Sequence, residues 1–106
     1  MGAAFDYLDL AFENERYRGV GGRSEENRPC GFRPAFLDTR TQRVYESRFG
    51  DGLPAPVHLL DGLPAELAIA RNAAGRVTAV RPTVIAGFVR AGRFFTREEA
   101  SRAVSE

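Results

Sequence analysis

Cys30 and His58 are the two side chains of this chain whose chemistry is closest to that of a catalytic nucleophile and its base. Each is the only residue of its type among the 106 residues. A thiol activated by an imidazole, with Asp61 to orient the ring, is the arrangement of a cysteine hydrolase. No local motif surrounds either residue, and isolated cysteine and histidine residues are usually structural. We therefore expect no enzyme and a half-buried, hydrogen-bonded His58, and we keep the Cys30–His58 hydrolase as a remote alternative.

No pattern for a metal ion or a phosphate-bearing cofactor is complete. One cysteine, one histidine and scattered carboxylates do not have the ligand spacing of a zinc or calcium site. The run Gly19-Val20-Gly21-Gly22-Arg23 has the glycines of a phosphate-binding loop but lacks its Gly-Lys-Ser/Thr ending. We expect neither a metal ion nor a cofactor.

The basic residues are fifteen arginines, with no lysine. A guanidinium is planar, permanently charged and suited to bidentate contact with carboxylate or phosphate, although a GC-rich genome would favour the same residue through its codons. Fourteen acidic residues leave a net charge of +1, so no overall field draws the chain to nucleic acid or to an anionic membrane. Any basic site must be local.

Segment 14–29 is the first place where arginines and an aromatic residue combine. It contains three glycines, a proline and little that can be buried. We predict a flexible loop here, whose order depends on a partner. Arginine and tyrosine anchor interfaces disproportionately. The expected partner-binding residues are Tyr17, Arg18, Arg23 and Arg28.

The C-terminal stretch is the second such place, because its arginines alternate with phenylalanines. Guanidinium groups beside aromatic rings on a sheet can hold phosphates and stacked bases. The alternative function is therefore a small nucleic-acid-binding module, whose expected phosphate contacts are Arg90, Arg93 and Arg97.

Size and composition indicate a single domain over residues 1–106. The apolar fraction of 43% and the charged fraction of 27% are close to globular averages. A lone cysteine excludes an intramolecular disulfide, the N-terminus lacks a signal-peptide pattern, and the longest apolar run, 84–89, is too short to span a bilayer. We expect a soluble, cytoplasmic monomer or homodimer without a membrane segment.

Two helices are predicted, one at each end of the chain. Over residues 3–13, Phe5, Leu8 and Phe12 recur at helical spacing with acidic residues mostly on the other side, which predicts a short amphipathic helix. At 96–99, Thr-Arg-Glu-Glu is a capping box, which predicts a helix to about Val104.

The region between the two helices has the alternation and turn residues of β-structure. A hairpin is expected within 30–49, with Pro34 placing its strand at a sheet edge or a bulge. A second hairpin is expected around the turn at 72–75, and the apolar segment 83–90 reads as a covered central strand. The predicted class is α+β: a mostly antiparallel sheet of four to six strands with a helix at each end.

The stretch from Gly87 to Ala100, GFVRAGRFFTREEA, has the form GFxxxGRFxxREEA. It resembles a tail seen in small proteins of phages and other mobile elements. The resemblance covers fourteen residues and implies a strand, a tight turn, a second strand and a capped helix, with no catalytic residue. Among mobile-element proteins, the chain is similar to the anti-CRISPR proteins in its size and in its lack of a catalytic motif.

The expected function is therefore that of a non-enzymatic interaction protein of phage or mobile-element type. By analogy with the anti-CRISPR proteins, we expect an inhibitor of a bacterial defence complex, which acts by protein–protein binding. Its expected partner is a bacterial protein or ribonucleoprotein complex, and direct contact with nucleic acid is the alternative.

Overall fold

The computed structural model describes residues 4–105, which form three helices and seven strands. The helices are α1 (Tyr7–Arg16), α2 (Ser24–Asn27) and α3 (Arg97–Ser105). The strands are β1 (Phe5–Asp6), β2 (Arg33–Asp38), β3 (Arg43–Glu46), β4 (Ala68–Arg71), β5 (Val77–Val80), β6 (Val84–Arg90) and β7 (Arg93–Thr96). Short 3-10 turns cover Arg28–Cys30 and Ala65–Leu67.

All strand pairs are antiparallel, in a four-stranded sheet of order β3-β2-β6-β7 and a three-stranded sheet of order β1-β5-β4. The predicted α+β class, with a helix near each end of the chain, is confirmed. The structure has seven strands where four to six were expected, because the two-residue β1 pairs with β5 inside the segment predicted as helix.

The N-terminal helix begins at Tyr7, later than predicted, because Asp6 caps it. The Asp6 carboxylate accepts a hydrogen bond from the Asp9 N–H at 2.9 Å, and the Asp9 carboxylate accepts one from the Asp6 N–H at 2.9 Å. These bonds satisfy two N–H groups that the first turn of a helix leaves free. The cap fixes Phe5 and Asp6 as extended backbone, which lets them pair with β5.

The prediction that Pro34 lies at a sheet edge or a bulge is wrong, because β2 runs between β3 and β6 in regular register. Proline cannot donate to a neighbouring strand. The carbonyl of Pro34 still accepts the Ser47 N–H at 2.8 Å. The Ser47 carbonyl, which lacks a donor from Pro34, accepts the Ala55 N–H at 2.9 Å instead. A segment distant in sequence therefore compensates for the missing N–H.

The C-terminal half follows the predicted pattern closely. The β4–β5 hairpin turns at Gly75 with φ of 82°, and the β6–β7 hairpin turns at Ala91 and Gly92. The Thr96 hydroxyl accepts the Glu99 N–H at 3.1 Å and the Glu99 carboxylate accepts the Thr96 N–H at 2.9 Å, so the predicted capping box is present. α3 then packs on β6 and β7.

Two apolar clusters hold these elements together. The larger lies between the two sheets and α1, and includes Phe36, Val80 and Val84. The smaller lies between the four-stranded sheet and α3, and consists of Phe32, Phe88, Phe95 and Ala100. β6 supplies Val84 and Ala86 to the larger cluster and Phe88 to the smaller one. These alternate residues lie on the same face of the strand.

Segment 14–29, predicted as a flexible loop, contains the end of α1, all of α2 and part of a 3-10 turn. The Glu26 carboxylate accepts the N–H groups of Gly19 and Gly21 at 2.7 and 2.9 Å. The buried Asn27 donates to the Gly21 carbonyl at 3.1 Å. The segment therefore has local order, which differs from the loop that was predicted. The mobility of the segment stays a prediction.

Replacing Gly87 by alanine is expected to destabilise the fold by roughly 1.5 kcal/mol, as overpacking of a core does. A Cβ at this position would clash with the Phe95 carbonyl oxygen and the Phe94 ring across the β6–β7 pair. Gly50→Ala is the matched control, since a Cβ there meets no atom within 4 Å. Urea denaturation of both variants measures the difference; equal stability of the two would contradict the close approach at Gly87.

Candidate functional site

The outward face of α1 carries large apolar side chains that no other part of the described chain covers. Phe12 is 75% exposed, Tyr7 57% and Leu8 52%, and Ala11 between them is also exposed. Helical spacing places these residues on one face, which we call the α1 stripe (Tyr7, Leu8, Ala11 and Phe12). The predicted amphipathic helix therefore exists, and its apolar face points outward.

The inward face of α1 is held by different residues. Leu10 is the buried residue of the helix and joins the larger core cluster. Glu13, one turn further along, pairs with Arg97 of α3, with Oε1 3.0 Å from Nε. Because these anchors lie opposite the stripe, α1 keeps its position without burying Leu8 or Phe12.

A groove of about 410 Å³ runs beside the stripe. Phe12 lines it, together with Asp9, Arg16, Phe5 and Pro82. The groove extends the apolar surface of Phe12 and surrounds it with charged groups. An apolar centre with a polar rim is the usual anatomy of a protein–protein interface.

Arg97 is the buried centre that fixes α1 against the sheet, with 2% of its surface exposed. Besides its pair with Glu13, its Nη1 donates to the Gly22 carbonyl at 3.0 Å and its Nη2 lies 3.2 Å from Nδ1 of His58. Burial lowers the pKa of Arg97 and raises the pKa of Glu13, in each case against the attraction of the partner. The Arg97 guanidinium remains charged even when it is buried. Arg97, Glu13 and the groups that Arg97 bonds therefore form a charge network removed from water.

His58 is buried more completely than the expected half-buried imidazole, and its hydrogen bonds are satisfied. Its Nε2 donates to the Gly87 carbonyl at 2.6 Å, which leaves Nδ1 to accept from Arg97. Burial, and then the charge of Arg97, lower the pKa of His58 to about 3. The imidazole is therefore neutral at pH 7 and bridges β6 and α3.

The residues proposed for a hydrolase do not come together in this fold. Both ring nitrogens of His58 bind groups other than a thiol, and Cys30 is exposed. Asp61 instead pairs with Arg76, with 2.7 Å between Oδ2 and Nη2, and accepts the Val77 N–H at 3.2 Å. The structure thus leaves Cys30 without the base that the hydrolase alternative requires.

The four residues expected to bind a partner from segment 14–29 are engaged within the chain. Tyr17 is half-buried, and Arg18 pairs with Glu15 at 3.3 Å. Arg23 pairs with Glu25 at 2.9 Å, and Arg28 donates to the Pro56 carbonyl at 2.9 Å. Their role in binding a partner stays a prediction. Sequence reasoning missed the α1 stripe because its apolar spacing is equally that of a buried face.

The expected phosphate contacts separate into two groups. Arg97 is buried and bonded on every side, so it is unavailable to a phosphate in this fold. Arg93 is exposed and Arg90 is half-buried, and both guanidinium groups lie over aromatic rings at the end of the β6–β7 hairpin.

Within residues 4–105, no cluster of three or more His, Cys, Asp or Glu side chains has the arrangement of a metal site. No helix in the same range combines the length and apolar character needed to cross a bilayer. The chain matches no protein-family model, and neither a curated protein nor a solved structure is detectably similar to it.

Proposed function

We propose that the protein is a non-enzymatic interaction protein that binds a protein partner through the α1 stripe. The observation that carries the proposal is the outward exposure of Phe12, Leu8 and Tyr7 on one helical face. Contiguous apolar surface on a small soluble domain marks an interaction site, and aromatic residues supply much of the binding energy at such sites.

The mode of binding that fits the stripe is a helix lying in an apolar groove of the partner. Leu8 and Phe12 stand at positions i and i+4, which is the spacing of the anchor residues in helix-in-groove complexes. The half-buried Asp9 and the exposed Glu15 and Arg16 lie beside them. The partner groove should therefore be apolar at its centre and carry charges of both signs at its rim.

The anchors of α1 support this role. Since Leu10, Glu13 and the Asp6 cap fix the helix independently of the stripe, the binding surface is already ordered before the partner arrives. Less conformational entropy is then lost on association than for an unstructured segment. This is a reason for the chain to keep a 75% exposed phenylalanine.

The partner we propose is a bacterial defence complex, either a protein or a ribonucleoprotein, which the chain inhibits in the cytoplasm by occupying such a groove. The resemblance of residues 87–100 to mobile-element proteins supports this choice. The absence of an assembled thiol–imidazole pair at Cys30 and His58 supports binding over hydrolysis.

The test is an affinity capture from bacterial lysate, with and without nuclease, compared between wild type and Leu8→Ser/Phe12→Ser. We expect a defined complex that survives nuclease and is reduced at least 30-fold by the double variant, since two anchor residues contribute about 2 kcal/mol or more. Phe49→Ser/Leu53→Ser is the matched control, because it removes exposed apolar residues elsewhere, and it should capture as wild type does.

Two outcomes contradict the proposal. In one, the stripe and control variants capture the complex equally. In the other, sedimentation shows a homodimer that Leu8→Ser/Phe12→Ser dissociates, which would place a second copy of the chain on the stripe. All four changed residues are exposed, so both double variants should fold. The circular dichroism spectra of the two variants verify this.

A further inference from the structure

Guanidinium groups gather around one pair of aromatic rings at the end of the four-stranded sheet. Phe32 and Phe95 meet edge to face, with 5.1 Å between their centroids. The Arg90 Cζ lies 4.2 Å from the Phe32 centroid and 5.2 Å from that of Phe95. The Arg93 Cζ lies 4.7 Å from the Phe95 centroid. Two cations therefore share the same small aromatic surface.

Two further arginines share a cavity with Phe32. Arg28 and Arg33 line this cavity of about 370 Å³ together with Phe32, Pro56 and Glu46. We call Arg28, Arg33, Arg90 and Arg93 the Phe32 arginine cluster. Among the ion pairs of the described residues, that of Arg33 with Glu46 at 3.2 Å involves a member of the cluster, and none involves the other three. The cluster is thus a strongly basic patch on a chain whose net charge is +1.

The positions of Arg90 and Arg93 destabilise the folded chain when no ligand is bound. They are directly opposite each other in the β6–β7 pair, and like charges in that relation are destabilising. An anion bound between them would remove this repulsion. The neighbouring turn at Ala91 and Gly92, both with positive φ, holds the two arginines in this relation.

The aromatic rings position these arginines for an anion whose charge is shared by two oxygens, such as a phosphodiester. Cation–π attraction over the rings of Phe32 and Phe95 restricts the guanidinium groups, so less freedom is lost when they bind. Their N–H donors suit the paired oxygens of a phosphate. The rings themselves are 1% and 9% exposed, and are therefore covered too well to stack on nucleic-acid bases.

We propose that the Phe32 arginine cluster binds the phosphodiester backbone of a double-stranded nucleic acid without reading its sequence. Duplex is favoured over single strand because the cluster offers cations but no exposed ring for a base. This site is separate from the α1 stripe, so either can fail without the other.

The test is fluorescence anisotropy with a labelled DNA duplex of 20 base pairs and mixed sequence, at 50 and 200 mM salt. With four phosphate contacts, affinity should fall roughly 100-fold between the two salt concentrations, from a slope of about −0.9 per contact. Arg90→Gln/Arg93→Gln should weaken binding at 50 mM salt at least tenfold and reduce the salt effect to roughly 10-fold.

Arg40→Gln/Arg43→Gln is the matched control, since it removes two exposed charges at the opposite end of β2 and β3. It should bind the duplex nearly as wild type does, and so should Leu8→Ser/Phe12→Ser. The proposal is overturned if wild type does not bind the duplex at 50 mM salt, if the two arginine variants lose affinity equally, or if the protein prefers a polyglutamate chain, which would indicate an acidic protein partner.

Discussion

Replacing Arg97 by leucine is expected to lower the free energy of unfolding by about 3 kcal/mol, the cost of breaking a buried charge network. The guanidinium binds Glu13 at 3.0 Å, the Gly22 carbonyl at 3.0 Å and His58 at 3.2 Å. Leucine fills part of the space but leaves all three partners without their donor. Unpaired buried polar groups retain the cost of desolvation, and α1 loses its link to α3.

Urea denaturation followed by circular dichroism measures this loss. Arg102→Leu is the matched control: it lies on the same helix, its side chain is 68% exposed and it pairs only with the exposed Glu98 among described carboxylates. Its expected effect is below about 0.5 kcal/mol. An Arg97→Leu variant as stable as Arg102→Leu would show that the network does not hold α1 in place.

The second large effect is a loss of stability in mild acid that originates at His58. Burial and the charge of Arg97 lower its pKa from 6.5 to about 3 in the folded chain. Below pH 6.5 the unfolded chain therefore binds a proton that the folded chain excludes. The contribution of His58 to the free energy of unfolding is therefore fully present above pH 6.5, and it is lost as the pH falls toward 3. By linkage, the loss is about 2 kcal/mol between pH 7.5 and pH 5.

The carboxyl groups of Glu26 and Asp38 contribute little to the change in stability between pH 7.5 and pH 5. Hydrogen bonds outweigh burial and lower the pKa values of Glu26 and Asp38, so their stability is lost only below their unfolded values of 4.5 and 3.8. Burial raises the pKa of Glu13, which favours the folded state as the pH falls and therefore opposes the His58 effect.

The control for the pH effect is His58→Gln, whose amide can still donate toward the Gly87 carbonyl and does not titrate. Urea denaturation at pH 7.5, 6.0 and 5.0 should show that the free energy of unfolding of wild type decreases as the pH falls. The free energy of unfolding of the variant should stay nearly constant. Identical slopes for the two proteins would mean that His58 does not exclude the proton, and that its burial in solution is less complete than in the structure.

Local sequence signals predicted the parts of the fold that depend on local contacts. The Thr96–Glu99 capping box and the turns at Gly75 and Gly92 each involve residues within four positions, and all are present. Pro34 was placed wrongly because its compensation comes from Ala55, through the Ser47 carbonyl. No pattern around Pro34 itself contains that information.

The candidate site was beyond prediction for the same reason. Arg97 is an arginine of the interleaved C-terminal stretch, and its burial depends on Glu13, 84 positions away. The apolar spacing of Leu8 and Phe12 predicted a helix correctly but not which face meets the core. Leu10 and Glu13 determine which face of α1 meets the core, and their partners lie on other elements.

The role of α1 as the docking surface is tested most directly by hydrogen–deuterium exchange of the chain alone and bound to its captured complex. Binding through the stripe predicts slower exchange over residues 7–16, with little change over the exposed residues 49–53, which carry the control substitutions. Unchanged exchange in α1, together with protection elsewhere in the chain, would show that the partner does not bind through the stripe.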